Sequence, residues 1–142
     1  MLSLFVIALA SATLLPGGSE IWLARLWCLG ESPFWLWGVA TLGNTLGSLV
    51  NVWLGRYARR FQQRRWFPAS PRQLASAERW YHRMGEVSLL MSWVPVIGDP
   101  LTVLAGVFRL PWWRAIAWIL FAKGGRYAVV LILAHHWLAP LC

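Results

Sequence analysis

The chain has 142 residues, of which 58% are hydrophobic and only 13% charged, and its mean hydropathy is +0.53. Average globular chains run at roughly 45–50% apolar and about 25% charged residues, and so small a domain needs much polar surface because it exposes much of its area. The composition therefore excludes a soluble domain, a disordered chain and a conventional DNA-binding domain, and marks an integral membrane protein. The net charge of +8 is concentrated. Residues 56–83 hold Arg56, Arg59, Arg60, Arg64, Arg65, Arg72, Arg79 and Arg83 against one acid, Glu78. A basic stretch between apolar segments sets orientation by the positive-inside rule. It predicts a cytoplasmic loop over 56–85 whose arginines, Arg56, Arg59, Arg60, Arg64 and Arg65 first among them, hold lipid headgroups. Nucleic acid is not implied.

The N-terminal apolar stretch, Met1 to Leu15, stops at Pro16-Gly17-Gly18-Ser19-Glu20, and a second short arm runs from Ile21 to Leu29. Each arm is shorter than the roughly 20 helical residues that cross a bilayer, so residues 1–31 read as a re-entrant hairpin with its tip at Pro16, Gly17 and Gly18. Ala10-Ser11-Ala12 resembles a leader cleavage site, but no positive charge precedes the apolar run as a leader requires. Residues 34–55 are long enough to span and lead directly into the arginines. Along them Gly43, Gly47, Asn51 and Gly55 recur every four residues, with Asn44 and Ser48 alongside. Small residues at this spacing let helices approach closely, within one chain or between two copies in a homo-oligomer.

Residues 86–109 repeat the first pattern. An apolar arm stops at Pro95-Val96-Ile97-Gly98-Asp99-Pro100 and a second resumes at Leu101, which reads as a hairpin with Pro95 and Gly98 at its tip. Residues 112–139 form the second spanning helix, interrupted by Lys123 and Arg126. Displaced by 79 positions, Pro16 falls on Pro95, Glu20 on Asp99 and Asn44 on Lys123. The fold class is therefore an all-α membrane protein, one domain over 1–142, built of two repeats (1–55 and 86–142). Each repeat is a hairpin plus one crossing, so the two have opposite orientation, with both termini outside. Inverted repeats of this kind place polar sites near the midplane.

Glu20, Asp99, Lys123 and Arg126 are the informative charges. A charge at the bilayer centre costs about 2.5–3.5 kcal/mol on insertion scales and so faces protein or water. If the hairpin tips meet, these two acids and two bases share one cavity, either as a packing network or as a site. In the second reading Lys123, Arg126, Asn44 and Asp99 bind substrate, while Glu20 and Asp99 exchange protons. His135-His136 lacks partner acids or cysteines, and the two cysteines, Cys28 and Cys142, offer neither a disulfide framework nor a Cys-rich metal site. No metal, cofactor or enzyme chemistry is implied.

Leu15-Pro16-Gly17-Gly18-Ser19-Glu20, Gly43-Asn44-Thr45-Leu46-Gly47 leading to Gly55-Arg56, and Pro95 followed by Ala105-Gly106 resemble the DedA family. This is the bacterial branch of the VTT-domain membrane proteins, and the chain is most similar to its short YqaA-type members over nearly its whole length. The resemblance implies a multi-pass bacterial inner-membrane protein with two opposed hairpins that moves lipids between leaflets as a flippase or scramblase. The passenger would be an anionic phospholipid or undecaprenyl phosphate. It implies a proton-linked role for Glu20. The arginines that the family usually carries three residues either side of the second-hairpin proline are replaced by Ser92 and Gly98, which leaves Lys123 and Arg126 to supply the cations. Two other classes fit midplane charges: an accessory protein that stabilises a partner complex, and an ion or small-solute transporter.

Overall fold

In the computed structural model, residues 2–13, 18–57, 71–93 and 98–142 are described, and they contain helices and turns but no strand. In chain order these are α1 (Leu2–Thr13), α2 (Gly18–Cys28), α3 (Pro33–Tyr57), α4 (Pro71–Met84), a 3-10 helix (Gly85–Trp93), α5 (Gly98–Val107) and α6 (Trp112–Trp137), closed by a short 3-10 turn (Ala139–Leu141). The two arms expected within 1–31 are α1 and α2. The arms expected within 86–109 are the 3-10 helix and α5. Pro16, Gly17 and Pro95 lie outside the described residues, while Gly18 and Gly98 each open a helix.

The two longest helices start at proline, which suits the first turn because it has no N–H to leave unpaired. Pro33 opens α3 and Pro111 is the N-cap of α6. With 25 residues, α3 reaches about 37 Å. Among the described residues, α6 is the one helix both long and apolar enough to cross a membrane. The reason α3 falls short in apolarity is its inner face, where Thr41, Asn44, Thr45, Ser48 and Asn51 are all buried.

Two expectations are corrected. The stretch 56–85 is not a loop throughout: α3 continues to Tyr57, and Pro71–Met84 is helical. Ala77, Tyr81 and Met84 recur at helical spacing, with Ala77 fully buried and Trp80 and Tyr81 packed on the core. The surrounding arginines mask that period. Arg59, Arg60, Arg64 and Arg65 lie outside the described residues, whereas Arg56 is in the last turn of α3 with its guanidinium 5.5 Å from the Trp112 ring. The second correction concerns cysteine. Cys28 and Cys142 form a disulfide, with Cα atoms 5.2 Å apart, inside the range such a bond requires. A separation of 114 residues hides that proximity in the sequence; it exists because the end of α2 and the end of the chain meet.

The turns that lead into α3 and α6 are built alike. After α2, the amides of Leu29, Gly30 and Glu31 donate to the carbonyls of Arg25, Trp27 and Leu26. After α5, the amides of Phe108, Arg109 and Leu110 donate to those of Leu104, Gly106 and Ala105. Every residue of the second set lies 79 positions after its counterpart. Both turns need one left-handed residue to close the helix end: Gly30 at φ 93° and Arg109 at φ 55°. Glycine reaches that region freely, and the second turn holds an arginine there at a steric cost.

Two apolar cores result. Leu4, Leu23, Leu36, Ala40 and Tyr127 gather α1, α2, the first half of α3 and the second half of α6. Val52, Ala77, Leu89, Leu101, Leu104, Ala115 and Ile119 gather the second half of α3, α4, α5 and the first half of α6. The glycine stripe of α3 serves packing within the chain. A Cβ on Gly43 would lie 2.7 Å from the Phe5 carbonyl oxygen of α1, and one on Gly55 would overlap the Val103 carbonyl oxygen of α5.

Candidate functional site

The site lies where α2 and α6 face each other. Glu20 is in the first turn of α2, and its carboxylate pairs with the Arg126 guanidinium, with the side chains 20% and 13% exposed. A helix N-terminus favours a negative charge, so the start of α2 and the Arg126 guanidinium both attract the carboxylate. Next to each partner is a buried hydroxyl. Ser19 Oγ and Tyr127 Oη are hydrogen-bonded at 2.7 Å, so successive residues of the two helices are tied in register. From Ser19 the network continues inward. Ser11 Oγ donates its one proton to the Ala8 carbonyl at 2.9 Å and lies 3.2 Å from Ser19 Oγ, within hydrogen-bond distance. Asn44 Nδ2 of α3 donates to Ser11 Oγ at 2.9 Å and to the Ala8 carbonyl at 3.0 Å.

Lys123, one turn from Arg126, takes a different direction. It is 1% exposed and donates from Nζ to the Ser92 carbonyl at 2.9 Å. Carbonyls in the last turn of a helix have no partner within it, and Ser92 is next to last in its 3-10 helix. Lys123 supplies that partner and fastens α6 to the first arm of the second half. Asn44 does the equivalent in the first half by binding the Ala8 carbonyl of α1. The Asp99 backbone lies in the first turn of α5; its side chain is outside the described residues. Of the four charges, the structure brings Glu20 and Arg126 together in one pair.

Arg126 also borders a groove of about 290 Å³ along α6 and the 3-10 helix, lined otherwise by Leu90, Phe121, Ala122, Gly125 and Val129. Phe121 is 74% exposed, so this wall opens outward. A guanidinium at the edge of an apolar groove can bind an anionic head through its planar donors while hydrocarbon lies against the rest. A second apolar groove, about 490 Å³, lies between Ala24 of α2 and Val130, Leu133, Ala134, Trp137 and Leu138. Along α2, Ala24 lies four residues from both Glu20 and Cys28.

Sequence reasoning missed Ser11, Ser19 and Tyr127. Serines in a membrane helix read as small packing residues, and a lone tyrosine reads as an interfacial aromatic. The available signal was position: Ser19 and Tyr127 each adjoin a charged residue in an otherwise apolar stretch. Outside the pair, His135 lies edge-on to Trp27 with ring centroids 6.0 Å apart. Among the described residues no three His, Cys, Asp or Glu side chains are placed to hold a metal.

Comparison with known proteins places the VTT domain on residues 5–136 of this chain. The chain is 41% identical to the inner membrane protein YqaA of Escherichia coli, over 92% of its own length and 87% of that protein's. The Shigella flexneri protein of the same name matches equally. A Haemophilus influenzae protein is 34% identical over 92% of this chain and 85% of its own length. No solved structure matches.

Proposed function

Since the chain belongs to the VTT-domain family, the DedA-type membrane proteins, we propose that it moves a phosphate-bearing lipid between the leaflets of the bacterial inner membrane. One observation carries this reading: Arg126 pairs with Glu20 on one side and borders an outward-opening apolar groove on the other. A lipid phosphate offers the same two-oxygen face as a carboxylate, so it can take over the guanidinium as Glu20 is released. A released Glu20 picks up a proton, because an uncompensated charge in hydrocarbon is costly. When the lipid leaves, the proton leaves and the ion pair reforms. The acyl chains remain against hydrocarbon throughout, and only the head needs the polar site. Lys123 and Asn44 hold the two halves in place around it, and Asp99 is the second proton-exchanging acid in this scheme.

The halves are read as inverted repeats, each with a re-entrant hairpin, and the matched turns 79 residues apart support that reading. So does the position of the two cores at opposite ends of the α3–α6 pair. The basic stretch is assigned to the cytoplasm by its arginines. The disulfide supports the same orientation independently, because disulfides persist in oxidising compartments and Cys28–Cys142 belongs to the opposite end from Arg56. A topology test follows. In intact cells, Cys142 should resist an impermeant thiol reagent until an impermeant reductant is added, and then react. Labelling without reduction, or only after lysis, would contradict the assignment.

The experiment for the function itself is reconstitution into vesicles carrying head-labelled phospholipid, with leaflet exchange faster than in protein-free vesicles as the expected outcome.

A further inference from the structure

The inner face of α3 carries two separate hydrogen-bonded networks. Toward the first half, Asn44 joins Ser11, Ser19 and Tyr127. Toward the second half, Asn51 Nδ2 donates to Thr102 Oγ1 of α5 at 3.3 Å. Between and beside the two asparagines stand buried oxygens that no described residue satisfies: Asn44 Oδ1, Thr45 Oγ1 and Ser48 Oγ, with Thr41 Oγ1 one turn earlier. Exposure of the four residues is 5% or less. Residues three and four apart share a helix face, so these oxygens form a row.

Orphaned polar atoms are expensive in any interior, and more so in hydrocarbon, where they are tolerated only against protein or water. The shortage here has a specific chemistry. Both amide protons of Asn44 are already used, on Ala8 and Ser11, so its free oxygen can only accept. The missing partner must donate hydrogen bonds and also accept them from hydroxyls, carry no charge and fit between packed helices. Water meets all four conditions. The rise from residue 44 to residue 51 is about 10 Å, a gap that a few ordered waters bridge.

We propose that a file of ordered water lies along Asn44, Thr45 and Ser48 and joins the two networks into one hydrogen-bonded thread through the middle of the protein. This goes beyond the transport reading and does not depend on it. Its consequence for that reading is a ready route for a proton between the Ser19–Tyr127 end, next to Glu20, and the α5 end. Such a file would also hydrate the interior of a helix that must otherwise hide five polar side chains.

The test uses the sign of a stability change. Removing a hydroxyl that is bonded to water leaves that water and its other partners unsatisfied, whereas removing one that has no partner relieves a penalty. Thr45→Val and Ser48→Ala are close to isosteric, so each should fold. Under the proposal both melt several degrees below the wild-type protein in detergent, and hydroxyl-radical footprinting by water radiolysis labels the middle of α3 above the lipid-facing Leu42 and Leu46. Variants that melt at or above wild type, or labelling no greater than at those leucines, overturn it. Lipid exchange measured on the same variants keeps the two ideas apart. Stabilised variants that still exchange lipid would remove the water file and leave the transport reading standing.

Discussion

Gly106→Ala should abolish recovery of folded protein, whereas Gly38→Ala should leave it intact or slightly more stable. A Cβ on Gly106 would overlap the Val52 carbonyl oxygen and crowd the Arg56 amide of α3. Backbone cannot move aside by changing rotamer, so α5 must back away and uncover Val103, Leu104 and Ala105, all in the core. Overpacking of this kind costs about 1–3 kcal/mol even when flexible side chains give way, and here they cannot. Nothing lies within 4 Å of a Cβ on Gly38, and replacing glycine by alanine within a helix gains about 0.5–1 kcal/mol. Yield of monodisperse protein after detergent extraction, followed by its melting temperature, checks both halves of the expectation. Equal behaviour of the two variants would mean that α3 and α5 are not in backbone contact.

The second large effect concerns the ion pair. Glu20→Gln leaves Arg126 charged without its partner, and Arg126→Gln does the same to Glu20. Breaking a buried pair from one side costs about 3–5 kcal/mol, because a charge is left uncompensated. The pair is 13% and 20% exposed, so the lower part of that range applies. The double variant Glu20→Gln/Arg126→Gln removes both charges and should recover most of the lost stability. Chemical denaturation of the four proteins as a double-mutant cycle measures the coupling. Additive losses would show that the two side chains act independently and that the pair does not close the α2–α6 seam.

These two expectations mark where the sequence was informative. The glycine stripe pointed to close helix approach, since glycine every fourth residue has little other use in a long helix, and Gly43 and Gly55 do meet neighbouring backbones. Glu20 and Arg126 stood out because charges are rare in apolar segments. The displacement by 79 was visible at Pro16, Glu20 and Asn44, and the matched turns at Gly30 and Arg109 follow it although their residue types differ. What stayed hidden was of three kinds. Contacts made to backbone carbonyls leave no trace in residue identity, so nothing connected Lys123 to Ser92 or Asn44 to Ala8. Contacts across long separations, such as Cys28 with Cys142 and Ser19 with Tyr127, depend on how the halves dock, which periodicity does not encode. Helix α4 was lost for a third reason: its arginines carry the orientation signal so strongly that the apolar spacing of Ala77, Tyr81 and Met84 was overshadowed.

Exchange of the carboxylate partner of Arg126 for a lipid phosphate is the step on which the proposed transport rests. It is tested most directly by leaflet exchange of a head-labelled anionic phospholipid in vesicles of wild type, Arg126→Gln and the double variant. Exchange well above protein-free vesicles for wild type, reduced at least tenfold in both variants while they remain folded, is the predicted result. Wild-type exchange no faster than in protein-free vesicles, or full exchange by the folded double variant, would contradict the account.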